Sequence, residues 1–340
     1  MMMERCTYSG IVGELTGSTR LDRYIAEHIK LLSRSQIKSR TLEAKCNGRP
    51  VKISRPVKTG DSLELCWLPA APLYLEPENI PLDVIYEDTC CAVINKSQGI
   101  VVHPGAGNYS GTLANALLWR RLHQSNKNTN VDGLEAVMEK HEDSGLLLPG
   151  YRNGIVHRLD KDTSGVIIAA YNDTALAFLS AQFKERTVRK QYLALVQGKP
   201  VNEEGSIKTR MIRDPRDRKR FTAIPAENKT KGKIALTKYR TLKTWTGYSL
   251  LLLKPKTGRT HQLRVHLQYL GHSILGDPVY NPLYIPGRTA RDTCFPDARL
   301  MLHASSLAIV LPGESEQRVF KAPLPDRFTT IIAGLNGRKG

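Results

Sequence analysis

The sequence predicts an α+β protein: a mixed, mostly antiparallel sheet with a few flanking helices, carrying a small basic α/β module ahead of it. Three observations carry this reading. Short apolar or β-branched runs recur at 92–95, 166–170, 190–196, 234–241, 248–254 and 306–310, with the length and alternation of strands. Helical spacing is confined to brief stretches between them, near 112–118, 173–184 and after Thr260. The first seventy residues show their own helical spacing and hairpin signal, closed off by a stretch rich in Pro and Ala.

Composition narrows the function class. A chain of 340 residues with 41% apolar and 24% charged residues has enough material for two or three cored domains. Its charge balance is unusual: 50 Lys and Arg against 32 Asp and Glu leave a formal +18. Such a field favours a polyanionic partner. No apolar run approaches the ~20 residues of a spanning helix, and the first ten residues do not read as a secretory signal. A membrane partner is therefore not expected. Cys6, Cys46, Cys66, Cys90, Cys91 and Cys294 show no C-x-x-C spacing. They read as reduced, mostly buried thiols of a cytoplasmic protein, with neither a zinc site nor a disulfide framework. Cys90 and Cys91 are expected in one strand, on opposite faces.

Residues 18–68 read as the separate basic module. Leu21, Ile25, Ile29 and Leu32 recur at helical spacing, and Ser33 offers an N-cap for a second helix containing Ile37. Asn47-Gly48 signals a hairpin, with strands expected at 51–53 and 62–65. Between Arg20 and Lys58 stand eleven Lys or Arg against Asp22, Glu27 and Glu43, a density that suits phosphate-backbone binding. The segments Arg20-Leu21-Asp22-Arg23-Tyr24-Ile25, Leu32-Ser33-Arg34-Ser35-Gln36-Ile37, Asn47-Gly48-Arg49-Pro50-Val51 and Thr59-Gly60-Asp61 resemble an S4 RNA-binding domain. The resemblance makes Arg20, Arg23, Arg34 and Lys38 candidate RNA contacts. One departure is Lys45-Cys46 before Asn47-Gly48, where that family carries an apolar residue and Val or Ile.

Residues 69–81 read as a linker, and 82–330 as the main domain. His103 precedes Pro104 and is therefore biased to an extended conformation. Residues 121–149 are polar and strand-hostile, an insertion expected at the surface. Asn172 caps a helix whose inward face is Ala175, Phe178, Leu179 and Phe183. In the strand at 190–196, Tyr192, Ala194 and Val196 share one face. Thr260 is a plausible N-cap for a short helix, and 210–220 holds six basic residues against Asp214 and Asp217. Neither a P-loop nor a G-x-G-x-x-G fingerprint occurs.

The chemistry is expected at His157-Arg158-Leu159-Asp160-Lys161-Asp162-Thr163-Ser164-Gly165, which runs straight into the apolar run at 166–170. If this stretch is extended, Arg158 and Asp160 share a face while Leu159 anchors the other. Taken locally, the pattern fits a capped turn or a surface pair of Asp160 with Arg158 better than a site. The motif, however, resembles the signature of the RluA/RluD family of RNA pseudouridine synthases. Four further segments resemble the same family in order: 81–88, 101–107, 258–267 and 271–280, so that the likeness covers 19–325.

The resemblance implies isomerisation of uridine to pseudouridine in RNA, with no metal or other cofactor. It implies Asp160 as the catalytic nucleophile, kept ionised by Arg264, and Tyr192 as base or stacking platform. It also implies that the target nucleotide is flipped out and that Arg158 fills the vacated stack. Arg259 is an alternative pocket cation, whereas His157, His261 and His266 read as scaffold. The S4-like module favours large-subunit, 23S-type ribosomal RNA or a pre-ribosomal particle as partner, bound by a monomer. The weighed alternatives are the same isomerisation on tRNA and a non-catalytic RNA-binding or ribosome-assembly protein.

Overall fold

The computed structural model describes residues 5–29, 32, 37, 41–67, 75–105, 108–125, 154–217, 220–228, 231–281, 295 and 298–337. They fall into two compact units, divided between residues 74 and 75.

In the first unit, β1 (Cys6–Ile11), β2 (Thr19–Arg20), α1 (Leu21–Tyr24), β3 (Thr41–Cys46), β4 (Arg49–Pro50), β5 (Pro56–Val57) and β6 (Ser62–Trp67) follow in sequence. The four-stranded sheet has the order β1-β6-β3-β4, and β2 pairs β5. Strand β1, upstream of residue 18, pairs antiparallel with the whole of β6. Asn47 and Gly48 take φ of 52° and 76° at the β3–β4 turn, the left-handed pair a tight hairpin requires. The helix expected from Leu21 onward forms, but Ile25–Ile29 is wound as a π-turn. Leu21, Ile25 and Ile37 are buried in the unit's core. The rest of the second helix, with Ser33, Arg34 and Lys38, lies outside the described residues.

The strand expected at 51–53 does not form. Val51 N–H still donates to Ala44 O, but Arg55 N–H turns back to Lys52 O and Ile53 O accepts from Asp22 N–H. Those bonds close a turn and tie it to the helix start, so nothing is left for a ladder.

The second unit contains β7 (Asp83–Glu87), β8 (Cys91–Lys96), α2 (Leu113–Ser125), β9 (Ser164–Ala170), α3 (Asp173–Glu185), β10 (Arg189–Gln197), β11 (Glu204–Arg213), β12 (Phe221–Pro225), β13 (Lys233–Trp245), β14 (Tyr248–Pro255), α4 (Gln262–Tyr269), β15 (Leu302–Val310), β16 (Gln317–Lys321) and α5 (Asp326–Asn336). Ten strands form one sheet in the order β12-β11-β13-β14-β10-β15-β9-β8-β7, with β16 paired to β15. Only β15 and β9 run parallel; the other ladders are antiparallel. The fold is the mixed, mostly antiparallel α+β class expected from sequence.

Strand β9 is buried along its entire length because helices cover both its faces. Val166 and Ile168 pack with Ala175 and Leu179 of α3, while Ile167 and Ala169 pack with Leu113 and Leu117 of α2. Ile167 and Ile168, both fully buried, each stabilise the fold by about 1.5–3 kcal/mol. A third cluster joins Leu251 and Leu253 of β14 to Leu263 and Leu267 of α4 and Phe328 of α5.

Several local expectations are corrected here. Helix α2 continues through residues 121–125, so the insertion begins later than the composition indicated; 126–149 lies outside the described residues, as does linker segment 68–74. Cys90 precedes β8 in a bend stapled by Asp88, which accepts from both Cys90 and Cys91 N–H at 2.7 Å. Asn172 does cap α3, accepting from Ala175 N–H. Phe178, however, is 40% exposed, because the buried stripe of α3 runs through Ala175, Leu179 and Gln182. The amide of Gln182 earns its place inside by bonding Val310 O and N–H of β15.

Candidate active site

The site grows from the loop that feeds β9. Leu159, 4% exposed, plugs the core beneath the sheet, and Thr163 N–H donates to Asp160 O to close the turn. Arg158 is exposed and Asp160 half-buried, with 22% of its side chain open to solvent. At Gly165 (φ +113°) a Cβ would lie 2.2 Å from Ala304 O. The absence of a side chain is therefore what lets the loop lie against β15.

The same loop is fastened from below. Lys96, 1% exposed, donates through Nζ to Ser97 O, Ile100 O and Lys161 O at 2.8, 2.9 and 3.0 Å. Burial pushes its amine down to about 8, opposed by the charges of Asp162 and Asp160. Gln98 Nε2 donates to Asp162 O and Leu300 O, and Gly99 N–H to Lys161 O. With so many of its carbonyls held, the Asp160 turn is a rigid mount.

Tyr192 enters from β10. Register pairs it with Leu253 of β14 and Ala304 of β15, and Ala304 with Gly165. Tyr192 thus stands level with the strand start that follows Asp160. Burial, reinforced by the charge of Asp160, raises its phenol well above the ordinary range, so it stays protonated at neutral pH.

Arg264 comes from α4. This helix is not capped by Thr260. His261 holds the cap position in the left-handed region (φ 56°) with no side-chain cap bond. Gln262, the first helical residue, instead ties down the loop ahead of it: its Oε1 accepts from Arg259 N–H at 3.0 Å and from Thr257 Oγ1 at 2.7 Å. Buried Arg264 gives Nε and Nη2 to the two oxygens of Asp277, both at 2.8 Å. That fork leaves Nη1 aimed at Asp160 Oδ2, 3.4 Å away. Its planar face lies over the Tyr280 ring at 5.0 Å. Asp277 also accepts from Val279 and Tyr280 N–H, so Arg264 is anchored by Asp277 and shared with Asp160.

The surrounding histidines are held within the scaffold. His157 Nε2 accepts from Ile168 N–H and its ring stacks on Phe183; burial pushes it down to about 3. His266 sits between Thr209 and Thr237, and burial lowers it to about 4. His261 bonds Tyr280 Oη through Nδ1 at 2.8 Å, and burial lowers it against the pull of Asp160.

Together these segments line a cleft of about 700 Å³. Asp160, Tyr192, Arg264, Arg158 and Arg259 all reach it, and among the described residues nine lysines and arginines line it against one carboxylate, Asp160. Arg259 also donates through Nε to Ile234 O. The proposed N-terminal contacts are placed differently. Arg20 forks onto Asp22 at 3.0 and 3.1 Å, and Arg23 pairs with Glu27 one turn on. Among the described residues no group of three His, Cys, Asp or Glu is gathered as metal ligands, and no helix is long and apolar enough to cross a membrane. Sequence reasoning assigned no role to Asp277 or Lys96, because what distinguishes them is burial beside particular partners.

A sheet of this topology with one carboxylate in a basic cleft defines an enzyme acting on a polyanion, and the family is shown by comparison. The profile of the RNA pseudouridylate synthase family matches residues 91–269, and the chain belongs to that family: it is an RNA pseudouridine synthase, an isomerase. The ribosomal large subunit pseudouridine synthase D of Borreliella burgdorferi is 40% identical over 93% of this chain and 89% of its own. An RNA pseudouridine synthase of Chlorobaculum parvum is also 40% identical, over 94% and 95%. Among solved structures, human RNA pseudouridylate synthase domain containing 4 superposes with a TM-score of 0.57 at 23% identity, covering 75% of this chain and 93% of that one. At that identity the likeness speaks to the fold alone.

Proposed function

We propose that this enzyme converts uridine to pseudouridine in large-subunit ribosomal RNA, with Asp160 as its nucleophile and no cofactor. The observation that carries the reading is Asp160 itself, among the described residues the one carboxylate in a cleft of nine cationic side chains. A groove built only to hold RNA gains nothing from a negative charge facing phosphates. An isomerase has a use for it. The C1′–N1 bond of uridine breaks, the anomeric centre becomes electron-poor, and an anchored carboxylate can add to it or shield it. The freed uracil then turns, C5 bonds to C1′ as any bond from Asp160 to C1′ breaks and returns the carboxylate, the C5 proton leaves, and N1 ends protonated. Atoms balance without a co-reactant.

The remaining residues take roles that fit their environments. Arg264, anchored on Asp277, keeps positive charge beside Asp160 through the cycle. Tyr192, held protonated, serves as a platform against the sugar or base in preference to acting as a base. Arg158, exposed at the cleft, fills the gap left by the everted nucleotide, at an unstacking cost of roughly a few kcal/mol. The N-terminal basic unit, like the S4 module it resembles, adds affinity for structured RNA through phosphate contacts. Ribosomal RNA is favoured because the Borreliella burgdorferi and Zymomonas mobilis relatives carry the name ribosomal large subunit pseudouridine synthase D.

The test is pseudouridine mapping across total RNA from cells lacking the gene, complemented with wild type or Asp160→Asn. Wild type should restore sites in large-subunit rRNA. Asp160→Asn should restore none, with turnover down by at least about 10⁴-fold and RNA affinity nearly unchanged. Sites restored only in tRNA would overturn the substrate assignment, and turnover by Asp160→Asn would remove the nucleophile.

A further inference from the structure

Lys190 is a half-buried lysine of the cleft to which the reading above gives no role. It lies two residues before Tyr192 on β10, and both residues line the cleft. The β10–β14 ladder begins at Tyr192, and Lys190 lies beyond it, beside Gly258. Its Nζ is 3.8 Å from the point where a Cβ on that glycine would sit. Nζ also lies 5.8 Å from the centroid of the Phe183 ring, and that ring stacks on neutral His157.

Among the described residues the Lys190 ammonium has neither hydrogen bond nor ion pair, and burial alone depresses its pKa. The contrast with the other deep cations is clear. Lys96 has three carbonyl oxygens and Arg264 two carboxylates. A desolvated ammonium without an anion is costly, and a groove wall that keeps one is prepared for an anion brought by the ligand.

Resting on the assignment of Asp160 to the anomeric carbon, we infer that Lys190 is the seat of the phosphate flanking the everted uridine. Lys190 lines the same cleft as Asp160 and Tyr192, so the backbone of a nucleotide whose sugar sits at Asp160 passes along the wall that carries it. A phosphate is the substrate group with permanent charge, and it too must shed water to enter the cleft. Meeting Lys190 removes both desolvation costs at once. The residue thereby fixes the sugar's position over Asp160, and Lys184, Arg186 and Arg189 continue the same wall outward for the next phosphates.

The experiment uses the full-length enzyme and an RNA oligonucleotide carrying the mapped target uridine. One version has natural linkages; two others carry a neutral methylphosphonate on its 5′ or its 3′ side. Lys190→Met should lower kcat/KM on natural RNA by about 10- to 100-fold, the range for one charge-assisted hydrogen bond, mainly through KM. Lys190→Arg should recover part of that loss. One of the two neutral linkages should cost wild type a similar factor and cost Lys190→Met almost nothing further, since the partner is already gone. Thermal unfolding supplies the check on a merely structural role. Removing an unpaired, half-buried charge should leave the melting temperature of Lys190→Met equal to or above that of wild type.

Losses that multiply at both linkages would overturn the inference, as would a fall in kcat with KM unchanged, which would place the amine on the departing uracil. A lowered melting temperature with unaltered kinetics would do the same. Failure of the underlying reading is distinguishable, because wild-type enzyme would then form no pseudouridine on the natural oligonucleotide.

Discussion

Asp277 lies out of water with its carboxylate divided between the Arg264 fork and the N–H groups of Val279 and Tyr280. Its position depends on Gly276, whose φ of +70° and crowding by Ala298 O and Arg299 O admit no Cβ. Arg264, its fork taken up, can turn only Nη1 toward Asp160. Asp277→Ala should therefore act twice. It leaves a buried guanidinium with one partner, which costs about 3–5 kcal/mol, and it frees Arg264 to close fully onto Asp160 and quench it. Urea denaturation should show the first effect and single-turnover kinetics the second; a variant with wild-type stability and rate would sink both. At this scale the family resemblance picked out Asp160, Arg158, Tyr192 and Arg264 from three separate segments, and the fold brings all four to one cleft. Asp277 stood in a quoted segment without a role, since only the fold shows that its carboxylate and the Arg264 fork meet. Lys96 escaped for the same reason: three carbonyls 1, 4 and 65 residues away give it its function.

Elements were legible where one side of the pattern was strong. The run at 166–170 reads as a buried strand because α2 and α3 leave neither face of β9 wet. Asn47-Gly48 reads as a hairpin because two consecutive left-handed residues need that chemistry. Strand β11 was missed, although Ile207, Thr209 and Met211 alternate inward along it. Charged residues between them and a buried threonine obscured the period, and Thr209 is tolerated inside because it bonds His266. The Thr260 cap failed because His261, in the left-handed region, holds the cap position with no side-chain bond.

Two substitutions separate the element that positions Asp160 from one that only supports the sheet. Gly165→Ala should cost roughly 2–5 kcal/mol, from positive φ and the clash with Ala304 O, and should depress activity beyond that loss because the Asp160 turn shifts. Asn172→Ala removes the α3 cap, should cost about 1 kcal/mol, and should leave kcat unchanged. Equal effects of the two on kcat at matched stability would show that the β9 start does not set the loop.

Across the whole molecule, the excess of basic charge was the most legible property, and it marks the cleft wall and the N-terminal unit alike. What composition does not disclose is how much titratable material the fold hides. His157, His266 and His303 are driven by burial to about 3, 4 and 4, each in a pocket that accepts only the neutral ring. Ser164 Oγ meets His303 Nδ1 at 2.9 Å, and Thr209 and Thr237 flank His266. In the unfolded chain these imidazoles titrate near 6.5. Between that value and their folded-state values the unfolded state binds more protons, so stability is present above pH 6.5 and is lost as pH falls toward 4. By pH 5, before most carboxylates begin to titrate, each histidine should withdraw up to about 2 kcal/mol. The urea midpoint should therefore drop markedly from pH 7 to pH 5 at constant ionic strength. In His266→Gln, where the amide can still bond both threonines, the drop should shrink by about a third. Midpoints that coincide at the two pH values would mean that the three rings are not confined to their neutral form by the packed sheet and helices around them.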